Sequence, residues 1–250
     1  NPTYGTVKTL KGFDRKHVSD YYYKHYTPNN MIISIVGNVK NVKEKIIKYF
    51  GSLKPRKLIK RAEVKEHLQT KVKKFVEKKK TLNSYIVLGY KTVSRMHKDS
   101  YVLDVISAIL GRGQSGWMFD EIRNKRGLAY QVGINDENES DYGTFAVYAG
   151  LDKNKIEKAK EIILQQFQRL ESISGKDLEE AKTYIEGNHT LAMEDNFQRA
   201  DNLAVWETIK NAKFAETYLK VVRKVTINDV KRVAEKYLND KYTLIVIEQK

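Results

Sequence analysis

Residues 13–36 slide onto residues 225–248 without a gap, and they match in pattern more than in identity. FDRKHV falls on VTINDV, Val18 on Val230, Lys24 on Lys236 and MIISI on TLIVI. Each segment reads as a helix, a short turn and a closing strand. A supersecondary unit met twice in one chain makes the first ~50 residues the tail of one copy and residues ~70 to 250 a nearly complete second copy. On this reading the front of the first copy lies outside the chain. The opening NPTYGTVKTLKGFD has neither the apolar stretch of a signal peptide nor an initiator Met, which fits a chain that begins partway through something longer.

Periodicity fills in the rest. DRKHVSDYYYKHY carries Val18, Tyr21, Tyr22, His25 and Tyr26 at helical spacing and stops at Thr27-Pro28, so some of its rings are expected to face a core and some an interface. MIISIVGN, residues 31–38, is expected to be a buried β-branched strand, and VKEKIIKYF a helix closing before Gly51. Further on, LNSYIVLGY (82–90) predicts a strand, and Asp99 is placed as the cap of a helix whose Val102, Val105, Ile106, Ile109 and Leu110 share a face. GRGQSG breaks that helix, and a short helix resumes over 117–125. Strands follow near 128–135 and 142–150, then helices over about 153–171, 175–193, 196–210 and 214–222. Helices grouped between and after meandering strands predict an α+β fold, an antiparallel or mixed sheet with helices packed on one face. Alternating βαβ units are not evident, which argues against a doubly wound nucleotide-binding fold.

Charge is concentrated. Of the net +15, residues 54–80 supply +9, with twelve Lys/Arg against three Glu. KPRKLIKRAEVKEHLQTKVKKFVEKKK is therefore predicted as a basic linker and lead-in between a first unit, 1–53, and a second, 81–250. Its sparse aromatics favour a solvated tether over a nucleic-acid groove. No nucleic-acid or membrane partner is expected, and no run of about 18 apolar residues occurs. The absence of Cys excludes disulfides, thiolate metal sites and cysteine nucleophiles.

Few patterns carry chemistry. GRGQSG lacks the G-x-x-x-x-G-K-[ST] of a phosphate loop and reads as a connection with Gly111 as C-cap and Ser115 as N-cap. The five His show neither H-E-x-x-H nor H-x-x-E-H; Glu186 and His189 form a single E-x-x-H, and no metal is assigned to this chain. No G-x-S-x-G elbow is present. There remain Arg123 and Tyr130, seven positions apart across a helix-to-strand seam. A permanently charged guanidinium and a phenol suit holding a peptide carbonyl or the negative charge that develops on it during attack, yet neither activates water well near neutral pH. The plainer alternative is an Arg paired with a surface carboxylate and a Tyr at a strand end.

As a block, LGRGQSGWMFDEIRNKRGLAYQV resembles the second-domain signature of the pitrilysin/insulinase family of zinc metallopeptidases, in its short-chain, processing-peptidase-like branch. HYTPNNMIISIVGNV, followed by a helix ending in KYFGSL, is similar to the helix, turn and strand that close the family's first domain. The resemblance implies two homologous α+β domains closing around a peptide. The first would carry Zn2+ on H-x-x-E-H and a downstream Glu, and the second would supply an Arg and a Tyr at the positions of Arg123 and Tyr130. This sequence has no H-x-x-E-H, so the zinc ligands and the base are expected in a missing N-terminal half or a partner subunit. The expected function is thus the C-terminal half of a zinc metalloendopeptidase acting on unfolded peptides. The alternative is a catalytically inactive homologue that binds peptides or scaffolds a complex. A partner chain or a dimer is expected, because MIISIVGN alone would expose sheet edges and an apolar face. A bacterial cytoplasm or periplasm is favoured over a mitochondrial matrix.

Overall fold

The computed structural model describes residues 4–59, 67 and 69–250. Much of the basic stretch, 60–66 and 68, lies outside the described residues. Five strands form one mixed sheet in the order β1-β5-β2-β4-β3: β1 (Lys73–Lys79), β2 (Ser84–Thr92), β3 (Ala129–Asn138), β4 (Gly143–Leu151) and β5 (Thr243–Gln249). β1 and β5 run parallel and the other neighbours antiparallel.

Side-chain alternation divides the sheet into two faces. Ile86, Leu88 and Tyr90 of β2, Phe145, Val147 and Ala149 of β4, and Leu244 and Val246 of β5 are buried. They lie under helices α4 (Asp99–Gly111), α6 (Ile156–Arg169) and α10 (Ile227–Tyr237), with α7 (Gly175–Ala192) and α9 (Phe214–Arg223) packed outside α4. The opposite face carries Phe75, Tyr85, Tyr148 and Ile245, all exposed. The architecture is the expected α+β arrangement with helices on one face.

Three ties fix the helix layer. Asp99 does not cap α4; Lys98 holds that position, and Asp99 lies buried in the first turn. Its carboxylate accepts from Arg232 Nη2 at 2.8 Å and from Tyr237 OH at 2.9 Å, which pins α4 to α10. Burial alone would raise this carboxyl, but the hydrogen bonds from Arg232 and Tyr237 outweigh it and hold the pKa at about 2. Arg95 donates to both oxygens of Asp104 at 2.9 and 2.8 Å, its guanidinium set among the rings of Tyr101, Trp206 and Tyr218. Gly111 ends α4 where β3 passes; a Cβ there would sit 2.5 Å from Ile134 Cγ1, so only glycine allows the approach.

The N-terminal segment is different. It holds α1 (Val7–Lys11), α2 (Arg15–His25) and α3 (Val42–Phe50), and among its described residues only Thr27 is buried. Residues 31–38, expected as a buried strand, belong to no sheet among the described residues. Propensity supplies a strand conformation, whereas a ladder needs a neighbouring chain, and none of the described residues offers one. The tyrosines of α2 likewise do not divide between core and interface. Tyr21, Tyr22, Tyr23 and Tyr26 are all exposed, with Tyr22 stacked on Tyr26 and Tyr21 on His25. Asp14 and His17 form the capping box of α2.

β1 falls inside the stretch expected as linker and lead-in. It is fully exposed, Lys-rich and at the sheet edge, yet it pairs with β5 over its whole length. Edge strands are commonly protected by lysines, so a composition that suggests a tether also suits an edge. No helix among the described residues is long and apolar enough to cross a membrane.

Candidate functional site

The corner between α4 and β3 is built from two local irregularities. After α5 (Trp117–Phe119) the backbone widens into a π turn over Asp120–Asn124, closed by Lys125 N–H donating to the Asp120 carbonyl at 2.9 Å. Trp117, Met118 and Ile122 are buried and anchor the turn in the core. Gly127, at φ +55°, reverses the chain; its N–H donates to the Arg123 carbonyl and that of Leu128 to the Ile122 carbonyl, at 3.0 and 2.8 Å. π turns and bulges recur where a side chain must be re-aimed.

The bulge follows at once. Ala129 pairs with Leu151 and Gln131 with Gly150, which leaves Tyr130 as the extra residue. It is 66% exposed, while Ala129 before it is buried. The structure therefore carries Arg123 and Tyr130 on one corner, both exposed, one on each side of the Gly127 reversal. No hydrogen bond joins them among the described residues.

Charge on this corner is unevenly satisfied. Lys125 bridges Asp120 and Glu121 at 2.8 Å each, and Arg126 clamps Glu121. Lys125 first, then Arg126, hold the Glu121 carboxyl below its ordinary range. Arg123 meets no carboxylate among the described residues. Its guanidinium lies 4.9 Å from the centroid of the Phe119 ring, which orients it without neutralising it. Among the described residues Arg123 thus has no surface ion pair of the kind the plainer alternative requires. The corner also includes Lys155, which sequence reasoning did not single out. Its ammonium is held by Asp152 at 2.8 Å and the Gly127 carbonyl at 3.2 Å, within electrostatic reach of Tyr130. A lone Lys beyond β4 leaves no signal in the sequence. An uncompensated guanidinium and an exposed phenol can together receive a carbonyl or anionic oxygen from outside the chain.

The GRGQSG connection differs from expectation in its caps. Arg112 is the C-cap of α4, and the Ser115 hydroxyl donates back to the Arg112 carbonyl while Gly116 takes the N-cap position. Among the described residues no three His, Asp or Glu side chains gather as a metal set. Glu186 pairs with Arg223, and the His189 ring lies 5.7 Å from that of Tyr218, so the E-x-x-H residues are engaged elsewhere. The donors described here do not fit a zinc site.

Comparison with known proteins agrees with the fold. Residues 12–185 match the family described as Peptidase M16 inactive domain, and the chain belongs to that family. Among curated relatives it is 26% identical to the uncharacterized zinc protease YmxG of Bacillus subtilis, over 98% of this chain and 60% of that protein. It is 27% identical to the zinc protease PqqE of Helicobacter pylori, over 94% and 55%. The crystal structure of a protease from Helicobacter pylori superposes with a TM-score of 0.91 at 26% identity, over 98% of this chain and 61% of that one. A Peptidase M16 inactive domain from Pseudomonas fluorescens superposes at 0.86 and 17% identity, over 100% and 61%, which speaks for fold alone. The chain thus spans about 60% of the length of these relatives.

Proposed function

We propose that this chain is the C-terminal, non-zinc half of a metalloendopeptidase that acts on unfolded peptides, with 1–53 the tail of a first domain, 54–80 a linker and lead-in, and 81–250 the second domain. Arg123 and Tyr130 receive the substrate carbonyl and stabilise the oxyanion that forms on it. Zinc and the general base belong to the half outside this chain, or to a partner subunit. One observation carries the reading: Arg123 stands beside four charged neighbours that satisfy each other, and it alone is left for a ligand. The relatives named as zinc proteases supply the reaction class.

The test is reconstitution with the complementary zinc-bearing half and a peptide substrate. Arg123→Ala and Tyr130→Phe should each lower turnover ~100- to 1,000-fold, the usual cost of one oxyanion donor. Zinc content of the assembled protein should stay unchanged. Turnover that survives both substitutions rejects the assigned roles. A folded, zinc-loaded assembly with no activity points to the second reading, an inactive peptide-binding subunit, which the family's description as an inactive domain also accommodates.

A further inference from the structure

A cavity of about 320 Å3 lies under the far end of β2, between α6, α10 and the turn before β5. Its walls are apolar: Leu164 and Phe167 from α6, Leu238 beyond α10, and the ring of Tyr242. At its base stands Tyr90, only 4% exposed, edge-on to Phe167 with ring centroids 5.3 Å apart. The Tyr90 hydroxyl is enclosed and makes no hydrogen bond among the described residues. A phenol buried without a partner costs stability, so its retention calls for an explanation.

The rim supplies one. Glu171, Glu235 and Asp240 all border the cavity, each exposed. None of the three has an ion pair or hydrogen bond to a cation among the described residues. Three carboxylates with no cationic partner among the described residues thus surround one opening in a chain of net +15. Together they make an acidic mouth over an aromatic and aliphatic throat that ends in a hydrogen-bonding group.

The site is separate from the Arg123 and Tyr130 corner. Ser84 of β2 and Ala129 of β3 both pair with Leu151 at that end of the sheet. Tyr90 is six residues further along β2, roughly 20 Å at the rise of a strand.

We propose that this cavity binds an alkylammonium group: a methylene chain of a few carbons lodged against Leu164, Phe167 and Leu238, with its cationic end held among Glu171, Glu235 and Asp240. Tyr90 gives the deep end of the ligand a hydrogen bond, which selects a chain with a polar group at each end. A free α,ω-diamine has this chemistry; a lysine side chain of a peptide does not, because it would enter ammonium first and leave its backbone at the rim.

Calorimetric titration of the intact 250-residue chain tests it, with 1,5-diaminopentane, N-acetyl-lysine amide and 1-pentanol as probes. The diamine should bind, and N-acetyl-lysine amide and 1-pentanol should not. Binding of the lysine derivative as tight as that of the diamine overturns the two-ended arrangement. Combined Glu171→Gln, Glu235→Gln and Asp240→Asn should weaken binding about tenfold or more. Tyr90→Phe should weaken it by about three- to tenfold, the worth of one neutral hydrogen bond, with thermal stability unchanged or raised. The rim carboxylates are exposed, so their replacement leaves the fold intact. Absence of any amine binding overturns the proposal. So does binding that survives both sets of substitutions, or equal binding of 1-pentanol.

Discussion

The helix-strand unit near the start and the one at the end of this chain share a local design and differ in what surrounds them. α2 spans Arg15–His25 and α10 spans Ile227–Tyr237, in register at the offset that carries Asp14 onto Thr226. Both N-caps close with a capping box, and both helices end on a residue whose N–H reaches back one turn, Tyr26 to Tyr22 and Leu238 to Ala234. Beyond them, residues 31–36 correspond to β5. The partners then separate the two units: Val230 is fully buried while Val18 is 62% exposed, and β5 lies between β1 and β2 while 31–36 pairs with nothing described. Capping and periodicity are written locally, whereas a core and a ladder must be supplied by the rest of the molecule. α10 also carries the ties α2 lacks, since Arg232 and Tyr237 hold Asp99 where α2 has Asp20 and His25.

The largest break in this comparison should come from a charge placed at the matched valines. Val230→Asp buries an unpaired carboxylate and should cost more than ~4 kcal/mol, whereas Val18→Asp should stay within about 0.5 kcal/mol; urea unfolding followed by near-UV circular dichroism separates them. Equal effects would mean that the first unit is packed after all.

The pH dependence of unfolding should also arise from the packed region. Burial first, and then the neighbouring Asp104 charge, raise the Asp136 carboxyl to about 7 against the opposing hydrogen bond from Asn138 and charge of Arg95. The folded chain therefore binds a proton more tightly than the unfolded one, and stability drains away as pH rises from about 4 to about 7. Asp136→Asn should recover about 4 kcal/mol at pH 8 and almost nothing at pH 3, read from thermal melts at both. Asp99 works in the opposite sense. Its depressed pKa gives stability that is present above the ordinary carboxylate value and lost as pH falls toward about 2. Asp99→Asn should lower stability by about 2 kcal/mol at pH 7, and the difference should vanish near pH 2. The smallest contrast lies in the caps. Thr226→Ala should cost about 1 kcal/mol of global stability, while Asp14→Ala should leave the main transition in place and reduce only far-UV helical signal.

What could be read from the sequence follows the same division. Helices α6, α7, α8 (Asn196–Ile209), α9 and α10 were legible because a period near 3.6 survives any context. The sheet strands 82–90, 128–135 and 142–150 were located to within a few residues for a similar reason. Residues 31–38 misled because their composition describes a buried strand, whereas the described chain gives them no neighbour. β1 was masked by its lysines, which serve an edge as well as a tether. At the corner, the residue types and spacing of Arg123 and Tyr130 pointed to chemistry, but the π turn, the bulge and Lys155 have no local code. They depend on where Ile122 and Leu151 anchor the backbone. The cavity below Tyr90 escaped altogether, because it gathers residues from β2, α6 and α10 that are far apart in the chain.

The bulge at Tyr130 has one more consequence. Ala129, Val132, Ile134 and Asp136 all turn toward the helix layer only because one residue between the first two goes uncounted in the ladder. Deleting Tyr130 itself would leave a regular ladder, with Ala129, Gln131 and Val132 opposite Leu151, Gly150 and Ala149, and every remaining side chain would keep its face. The extra residue thus serves the corner and not the ladder: it frees one side chain from the alternation that fixes its neighbours.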